Sequence, residues 1–255
     1  MTLSGEGDRR RPRSPLTLFL LGGIAILLIA ALTTLGVWQL QRRVWKLDLI
    51  AQIEQRIHAP AVDAPGRAAW PAIDASRDAY RRVRAVGVFL RDRDTLVQAV
   101  TALGGGYWVM TPLRTDAGFV ILVNRGFVSG DDKDKARAEM PPGRVEITGL
   151  LRVNEPHGGF LRANDPAADR WHSRDVEAIA GARGLTDVAP YFIDADAMPG
   201  PGPVGGLTVV SLPNSHLVYA LTWFALALML AGGMAYVVRS EWNNRNSTSP
   251  GAGGS

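Results

Sequence analysis

Residues 214–238 form the stretch that most constrains the fold, because this run is apolar and carries no Asp, Glu, Lys or Arg. A helix needs roughly 20 mostly apolar residues to cross a bilayer, so the run predicts a transmembrane helix. His216 lies at its start, and a titratable side chain in a membrane is costly and usually has a function. The run therefore predicts a membrane span and a candidate functional histidine.

A second apolar run, near the N-terminus, predicts another span over residues 16–37. A cleaved signal peptide is the alternative, but its apolar core would be only about 7–15 residues long, and this run is longer. We therefore expect a retained helix that continues out of the membrane over residues 38–59. Trp38 and Trp45 fall on one face of that continuation. They are either interfacial anchors or part of a surface that binds a partner protein.

The basic residues that flank the two spans predict the orientation of the chain, because cytoplasmic flanks carry an excess of Lys and Arg. Six basic residues lie in the tails, 1–15 and 239–255, which we expect to be disordered, and three follow the first span (Arg42, Arg43 and Lys46). We therefore expect both termini in the cytoplasm and the central region in the periplasm or its organellar equivalent. The expected location is a bacterial inner membrane, crossed twice.

The central region, residues 60–213, is expected to be the folded domain outside the membrane. Short β-rich runs separated by Gly and Pro favour an antiparallel sheet, sandwich or small barrel over βαβ units. Strands are predicted at Tyr80–Leu90, Thr95–Val100, Tyr107–Thr111 (closed by Pro112), Phe119–Val123, Val145–Val153, Tyr191–Asp194 and Gly206–Leu212. One good helix is predicted at Ser173–Gly184, with Ser173 as its N-cap. The fold class is thus a membrane-anchored α+β chain, with two transmembrane helices flanking an extracytoplasmic antiparallel β-rich domain that has one or two short helices.

The composition and the missing motifs exclude several classes of function. The chain has no cysteine, which excludes disulfides, thiolate zinc sites, iron–sulfur clusters and a thiol nucleophile, and argues against a copper carrier. The formal charge of +4 is spread along the chain and does not favour nucleic acid as a partner. There is no His-Glu-x-x-His, no Gly-x-Ser-x-Gly, no Walker A loop and no dinucleotide fingerprint. We therefore expect a protein that is not an enzyme.

His216 is the strongest candidate for chemistry. On a helix, His216, Tyr219 and Trp223 fall at i, i+3 and i+7 and form one stripe, beside which Ala220 and Ala227 leave room. Histidine is a common axial ligand of haem iron, so the stripe suits contact with a haem. The alternative is an interfacial belt in which these side chains bond to lipid headgroups or to Asn214.

Arg125 is the second candidate, because it directly follows the apolar run that ends at Val123. A cation at the edge of a buried strand requires a carboxylate partner. That partner is either an internal Asp or Glu, or a carboxylate from outside the chain, such as a propionate or a group on a partner protein.

At these residues the chain resembles the surfeit locus protein one family of cytochrome c oxidase assembly factors. Four blocks carry the resemblance in the family's order: Leu35-Gly36-x-Trp38-Gln39-Leu40-x-Arg42 with Trp45-Lys46; Thr111-Pro112-Leu113 with Val123-Asn124-Arg125-Gly126; Asn164-x-Pro166 with Trp171 and Asp175; and Asn214-x-His216-Leu217-x-Tyr219-Ala220-x-x-Trp223-Phe224. Any one block is weak, whereas four in sequence are specific. The chain departs from the family at Val218, where the family usually has Gln.

The resemblance implies a two-span inner-membrane protein that assists the biogenesis of haem–copper oxidase. It implies haem a as the cofactor, bound transiently, with His216 as the residue nominated for the haem iron, beside Tyr219 and Trp223. The implied partners are the catalytic subunit of cytochrome c oxidase, the lipid bilayer and, as a further candidate, haem A synthase. Partner-binding or structural roles are expected for Trp38, Arg42, Trp45, Asn124 and Arg125.

Two other functions remain open at this stage. One is a scaffold without cofactor, which would hold the oxidase subunit while other factors insert haem. The other is a sensor with an extracytoplasmic ligand-binding domain, although the short tails offer no output domain.

Overall fold

The computed structural model of the chain describes residues 14–133, 140–156, 162–198, 202–207 and 214–247. These residues belong to two compact units, one made of the chain up to Leu49 and from Leu212 onward, and the other of Ile50–Ser211. The helices and strands, in chain order, are α1 (Pro15–His58), β1 (Val62–Asp63), α2 (Ala75–Asp78), β2 (Arg82–Phe89), β3 (Thr95–Thr101), β4 (Gly104–Thr115), β5 (Val120–Ser129), β6 (Arg144–Val153), α3 (Val176–Ala182), β7 (Val188–Ala195) and α4 (His216–Ser247).

The first unit contains the two helices that the apolar runs predict, and both are long and apolar enough to cross a membrane. The first span and its continuation form the single helix α1, in which Pro15 occupies the first helical position, where its missing N–H costs nothing. Residues 239–255 were expected to be a disordered tail beyond a span that ends at Val238. The expected disorder is wrong for residues 239–247, because α4 continues to Ser247.

The second unit is built around a seven-stranded sheet in the order β1-β2-β6-β7-β5-β4-β3, with a further pairing between β2 and β4. This pairing closes β2, β6, β7, β5 and β4 into a ring, so the sheet is barrel-like. The predicted β-rich domain is confirmed. Five of the strand pairings are antiparallel, as predicted, whereas the β1–β2 and β5–β7 pairings are parallel. Parallel strands require a long crossover, and the chain between β5 and β7 supplies one, since it includes β6 and α3.

The strands pack two apolar clusters, one on each side of the sheet around β5 and β7. One contains Leu151, Ile121 and Tyr191, all fully buried. The other is covered by α3, whose Ile179 packs with Trp171 and other buried residues. The Tyr191 hydroxyl donates to the carbonyl of Pro65 at 2.7 Å, and burial raises the pKa of Tyr191 well above its ordinary value. These clusters fix the positions of the buried polar side chains described below.

Two predicted boundaries differ from the structure for physical reasons. Pro112 was expected to close a strand, but β4 continues through it. At this point β4 changes partner from β3 to β2, so the missing N–H falls between two ladders, and the Pro112 carbonyl accepts from the Leu90 N–H at 2.8 Å. Helix α3 begins at Val176, and its N-cap is Asp175, whose carboxylate accepts from the Ala178 N–H, rather than Ser173. The strand predicted at Gly206–Leu212 lies largely outside the described residues.

Candidate functional site

Helices α1 and α4 meet along a seam of the less exposed positions, which recur every three or four residues on each helix. This spacing is typical of two helices that cross at a shallow angle. Several seam positions carry small residues, which allow the backbones to approach closely in a membrane. The seam comprises Leu18, Gly22, Ala25, Ile29, Leu32, Gly36 and Gln39 on α1, and His216, Ala220, Trp223, Phe224, Ala227 and Met234 on α4.

Gly36 is the tighter of the two seam glycines, because a Cβ placed there would lie 2.6 Å from Cε1 of Phe224, against 3.4 Å from Cε of Met234 at Gly22. We expect Gly36→Leu to separate the helices, since overpacking costs about 1–3 kcal/mol, or at least a fivefold loss of the paired state. The chain has no native cysteine, so thiol crosslinking of a Gly22→Cys, Met234→Cys pair reports the pairing. Phe224→Ala is expected to restore crosslinking. The control is Gly23→Leu, where nothing lies within 4 Å; equal crosslinking in Gly36→Leu and this control would contradict the seam.

The seam places His216 against α1 at the first turn of α4. The Nδ1 atom of His216 lies 2.8 Å from Oε1 of Gln39. A carboxamide oxygen only accepts hydrogen bonds, so Nδ1 carries the ring proton in this arrangement. In a neutral imidazole the other ring nitrogen, Nε2, then has a lone pair that can bind a metal. The partner of Nδ1 is thus a side chain on the other helix.

The other two members of the predicted stripe lie on different sides of α4. Trp223 is half-buried on the seam, whereas Tyr219 is 54% exposed and points away from it. Two buried polar atoms, Nε1 of Trp223 on α4 and Oδ1 of Asn214 just before it, have no hydrogen-bond partner among the residues that the structure describes. An unpaired buried donor or acceptor is unfavourable, and such groups in a native structure are usually satisfied by an ordered water, an ion or a ligand.

On α1, the predicted partner-binding residues are exposed side by side. Trp38 is 52% exposed and Trp45 is 50% exposed. The guanidinium carbon of Arg42 lies 4.0 Å from the centroid of the Trp45 ring, a cation–π contact between residues one turn apart. This arrangement fits both an interfacial anchor and a surface that binds a partner.

Asn124 and Arg125 lie inside the β unit, on β5. Arg125 is 1% exposed, and its guanidinium carbon lies 5.8 Å from the ring centroid of Phe89. Asn124 donates from Nδ2 to a carboxylate oxygen of Asp194 at 2.8 Å, and its Oδ1 accepts from the Gly126 N–H at 3.1 Å. Both side chains are therefore buried, on opposite faces of the sheet because they are consecutive in β5. A contact with a partner protein would require them to be uncovered.

Asp194 is the centre of a buried charged network that also includes Arg152, Arg174 and Glu155. Its carboxylate is 3% exposed and accepts from Arg152 at 2.9 Å and from Arg174 at 3.0 Å. Glu155 accepts from the same two guanidinium groups. Burial alone would lower the pKa of Arg174, but the charges of Asp194 and Glu155 outweigh it and hold the pKa above its ordinary value. Among the described residues, this cluster joins β6 and β7 to the segment before α3.

Two of these contacts are hard to predict from local sequence pattern. Gln39 lies in the first motif block, but nothing in the local pattern shows that it meets a residue 177 positions away. Asp194 is a charged residue in an otherwise apolar strand, and this pattern indicates that it has a buried partner. The pattern does not indicate which residues these partners are, because they lie on β6 and on the segment before α3.

Comparison with known proteins places the chain among relatives of one kind. Residues 26–228 match the model of the SURF1 family. The Homo sapiens protein named Surfeit locus protein 1 is 36% identical over 229 residues, covering 79% of this chain and 73% of the relative. The Xenopus tropicalis protein of the same name is 35% identical, covering 80% and 71%. A SURF1-like protein of Monosiga brevicollis is 32% identical, covering 85% and 87%.

Proposed function

Because the chain belongs to the SURF1 family, we propose that it is an assembly factor for haem–copper cytochrome c oxidase. In this role it assists the delivery of haem a to the catalytic subunit, or the stabilisation of haem a there, without catalysing a reaction itself. Haem A synthase is a candidate partner on the supply side. The protein acts in an inner membrane, with both termini in the cytoplasm and the β unit on the opposite side.

The observation that carries the haem part of the proposal is the state of His216. Its Nδ1 is engaged by Gln39, which leaves Nε2 as the metal-binding atom of the ring. Among the described residues, no group of three or more His, Asp or Glu side chains could hold a metal ion. A single imidazole cannot hold a bare ion firmly, but it is sufficient as an axial ligand when a porphyrin supplies four nitrogens.

The surroundings of His216 also fit a porphyrin. Leu217, Val218 and Leu221 are exposed and apolar, so the end of α4 offers an apolar surface to the macrocycle as well as to lipid. The unpaired indole N–H of Trp223 is a buried donor that a polar substituent of the ligand would satisfy. If a haem binds here, His216 would supply a ligand for the iron, Trp223 would supply a hydrogen-bond donor, and the apolar side chains would exclude water.

The test uses the full chain purified in detergent from cells that make haem a. We expect the wild-type protein to carry haem with a Soret band, and His216→Ala to lose at least about tenfold in affinity, since removal of even the groups that orient a ligand costs 10–100-fold. His58→Ala is the matched control, because His58 is an exposed histidine whose ring bonds to its own helix. If His216→Ala keeps full haem occupancy, the ligand assignment is wrong.

A scaffold without cofactor is the second candidate, and the exposure of Trp38 and Trp45 favours it. Such a scaffold would bind the oxidase subunit through this face of α1. A photo-crosslinking residue at position 45 that captures the subunit, together with no haem in any preparation, would favour the scaffold over haem delivery. Capture of the subunit by a haem-loaded protein would fit the first proposal.

A further inference from the structure

We propose that Gln39 is a positioning residue for the His216 ligand, so that the haem site is built from both membrane helices. In this arrangement the Gln39 side-chain oxygen accepts the Nδ1 proton of His216, fixes the tautomer and leaves Nε2 to bind iron. The inference rests on the proposed function, and it adds a residue on α1 that determines how strongly the iron is held.

The geometry supplies the first argument. The distance of 2.8 Å between Nδ1 and Oε1 is that of a well-formed hydrogen bond. A carboxamide oxygen cannot donate, so the contact requires the proton on Nδ1 and excludes the tautomer with the proton on Nε2. Histidine ligands of metals usually donate their other N–H to such an acceptor, which orients the ring and raises its basicity.

The position of His216 supplies the second argument. It is the first residue of α4, and the ends of helices fray because their backbone groups have fewer partners within the helix. A ring held only by this end would be poorly oriented. Gln39 lies on the other helix, and the tight approach between Gly36 and Phe224 lies about one turn from Gln39 on α1 and about two turns from His216 on α4. This approach keeps Gln39 in place. The hydrogen bond to this packed side chain therefore restrains the orientation of the imidazole ring.

The electronic consequence separates this role from a merely structural one. An acceptor at Nδ1 gives the ring partial imidazolate character, which strengthens the iron–nitrogen bond and favours ferric over ferrous iron. A stronger acceptor strengthens the effect, and an apolar residue abolishes it. If Gln39 only packed the two helices, substitution by an apolar residue and by a stronger acceptor would not shift the strength of the iron–nitrogen bond in opposite directions.

The experiment compares Gln39→Leu and Gln39→Glu in the full chain in detergent. The probes are ferric haem a and ferric haem b, titrated into haem-free protein. We expect Gln39→Leu to raise the dissociation constant about 10–100-fold, to lower the iron–histidine stretching frequency and to raise the reduction potential. Gln39→Glu keeps an acceptor, so it should retain tight binding and shift the frequency and the potential in the opposite directions. Gln41→Leu is the matched control, because Gln41 is an exposed glutamine on the same helix.

The outcomes distinguish the inference from the function on which it rests. If His216→Ala loses haem while both Gln39 variants match the wild type in affinity, frequency and potential, the positioning role is wrong and the haem-binding function stands. If both variants shift these quantities in the same direction, Gln39 is only a packing residue. If His216→Ala keeps its haem, the ligand assignment fails and the inference fails with it. Thiol crosslinking between positions 22 and 234 shows in each case whether the helices remain paired.

Discussion

Replacement of Asp194 by asparagine is expected to lower the free energy of unfolding of the β unit by about 3–5 kcal/mol. The carboxylate is buried and accepts hydrogen bonds from Asn124, Arg152 and Arg174. Asparagine has the same shape but no charge, so two guanidinium groups would have to share the single charge of Glu155. The loss is large because a buried cation without a full counter-charge remains desolvated.

Urea unfolding of the full chain in detergent, followed by tryptophan fluorescence, measures this loss through probes such as the buried Trp171. Asp116→Asn is the matched control, because Asp116 pairs with Arg144 in a bridge whose two side chains are exposed. Exposed pairs contribute little to stability, so the control should unfold nearly as the wild type does. Equal midpoints for Asp194→Asn and Asp116→Asn would show that the network adds no more than a surface pair.

Gly87→Val is the substitution expected to disturb the closure of the barrel most. At Gly87, strand β2 pairs with Val145 of β6 and with Thr115 of β4, so the residue lies at the corner where the ring closes. A Cβ at this position would lie 2.1 Å from the carbonyl oxygen of Arg114, and a backbone atom cannot move aside as the end of a side chain can. We expect a loss of about 3 kcal/mol, the upper end of the usual cost of overpacking, although valine favours strands elsewhere.

Amide hydrogen exchange locates the effect. The Leu90 N–H, which donates to the Pro112 carbonyl across the β2–β4 closure, should exchange faster in Gly87→Val, while the amides of the β5–β7 pairing should change less. Gly105→Val is the control, because it lies in β4 and nothing lies within 4 Å of its added Cβ. Unchanged protection at Leu90 would mean that the closure tolerates a side chain at this corner.

Local pattern was enough to predict much of the fold. The apolar runs predict α1 and α4, because the length and the absence of charge that a bilayer requires are properties of a single segment. Most strands of the β unit are predicted within a few residues, because β-rich runs between Gly and Pro are also local. The continuation of β4 through Pro112 was missed, because it depends on β4 changing partner at that residue.

The sequence predicted part of the candidate site, but not which of its residues face the other helix or the interior. Sequence indicated His216, Tyr219 and Trp223 as one stripe, since the helical period places them near each other. The structure keeps His216 and Trp223 on the seam and leaves Tyr219 exposed, because the seam is set by the facing helix. Arg125 was expected at the edge of a buried strand that ends at Val123, whereas β5 continues through it to Ser129 and leaves it 1% exposed.

By itself, the sequence determined two spans, a β-rich domain between them, the chemistries that a chain without cysteine cannot use, and the family resemblance. These follow from residue type, spacing and order, which are fixed along the chain. Only the tertiary structure decided that Gln39 accepts from His216 and that Asp194 joins Arg152 to Arg174. These contacts depend on which helix faces which and on which strands are neighbours, and that choice is made by the packing of whole elements rather than by the residues next to each contact.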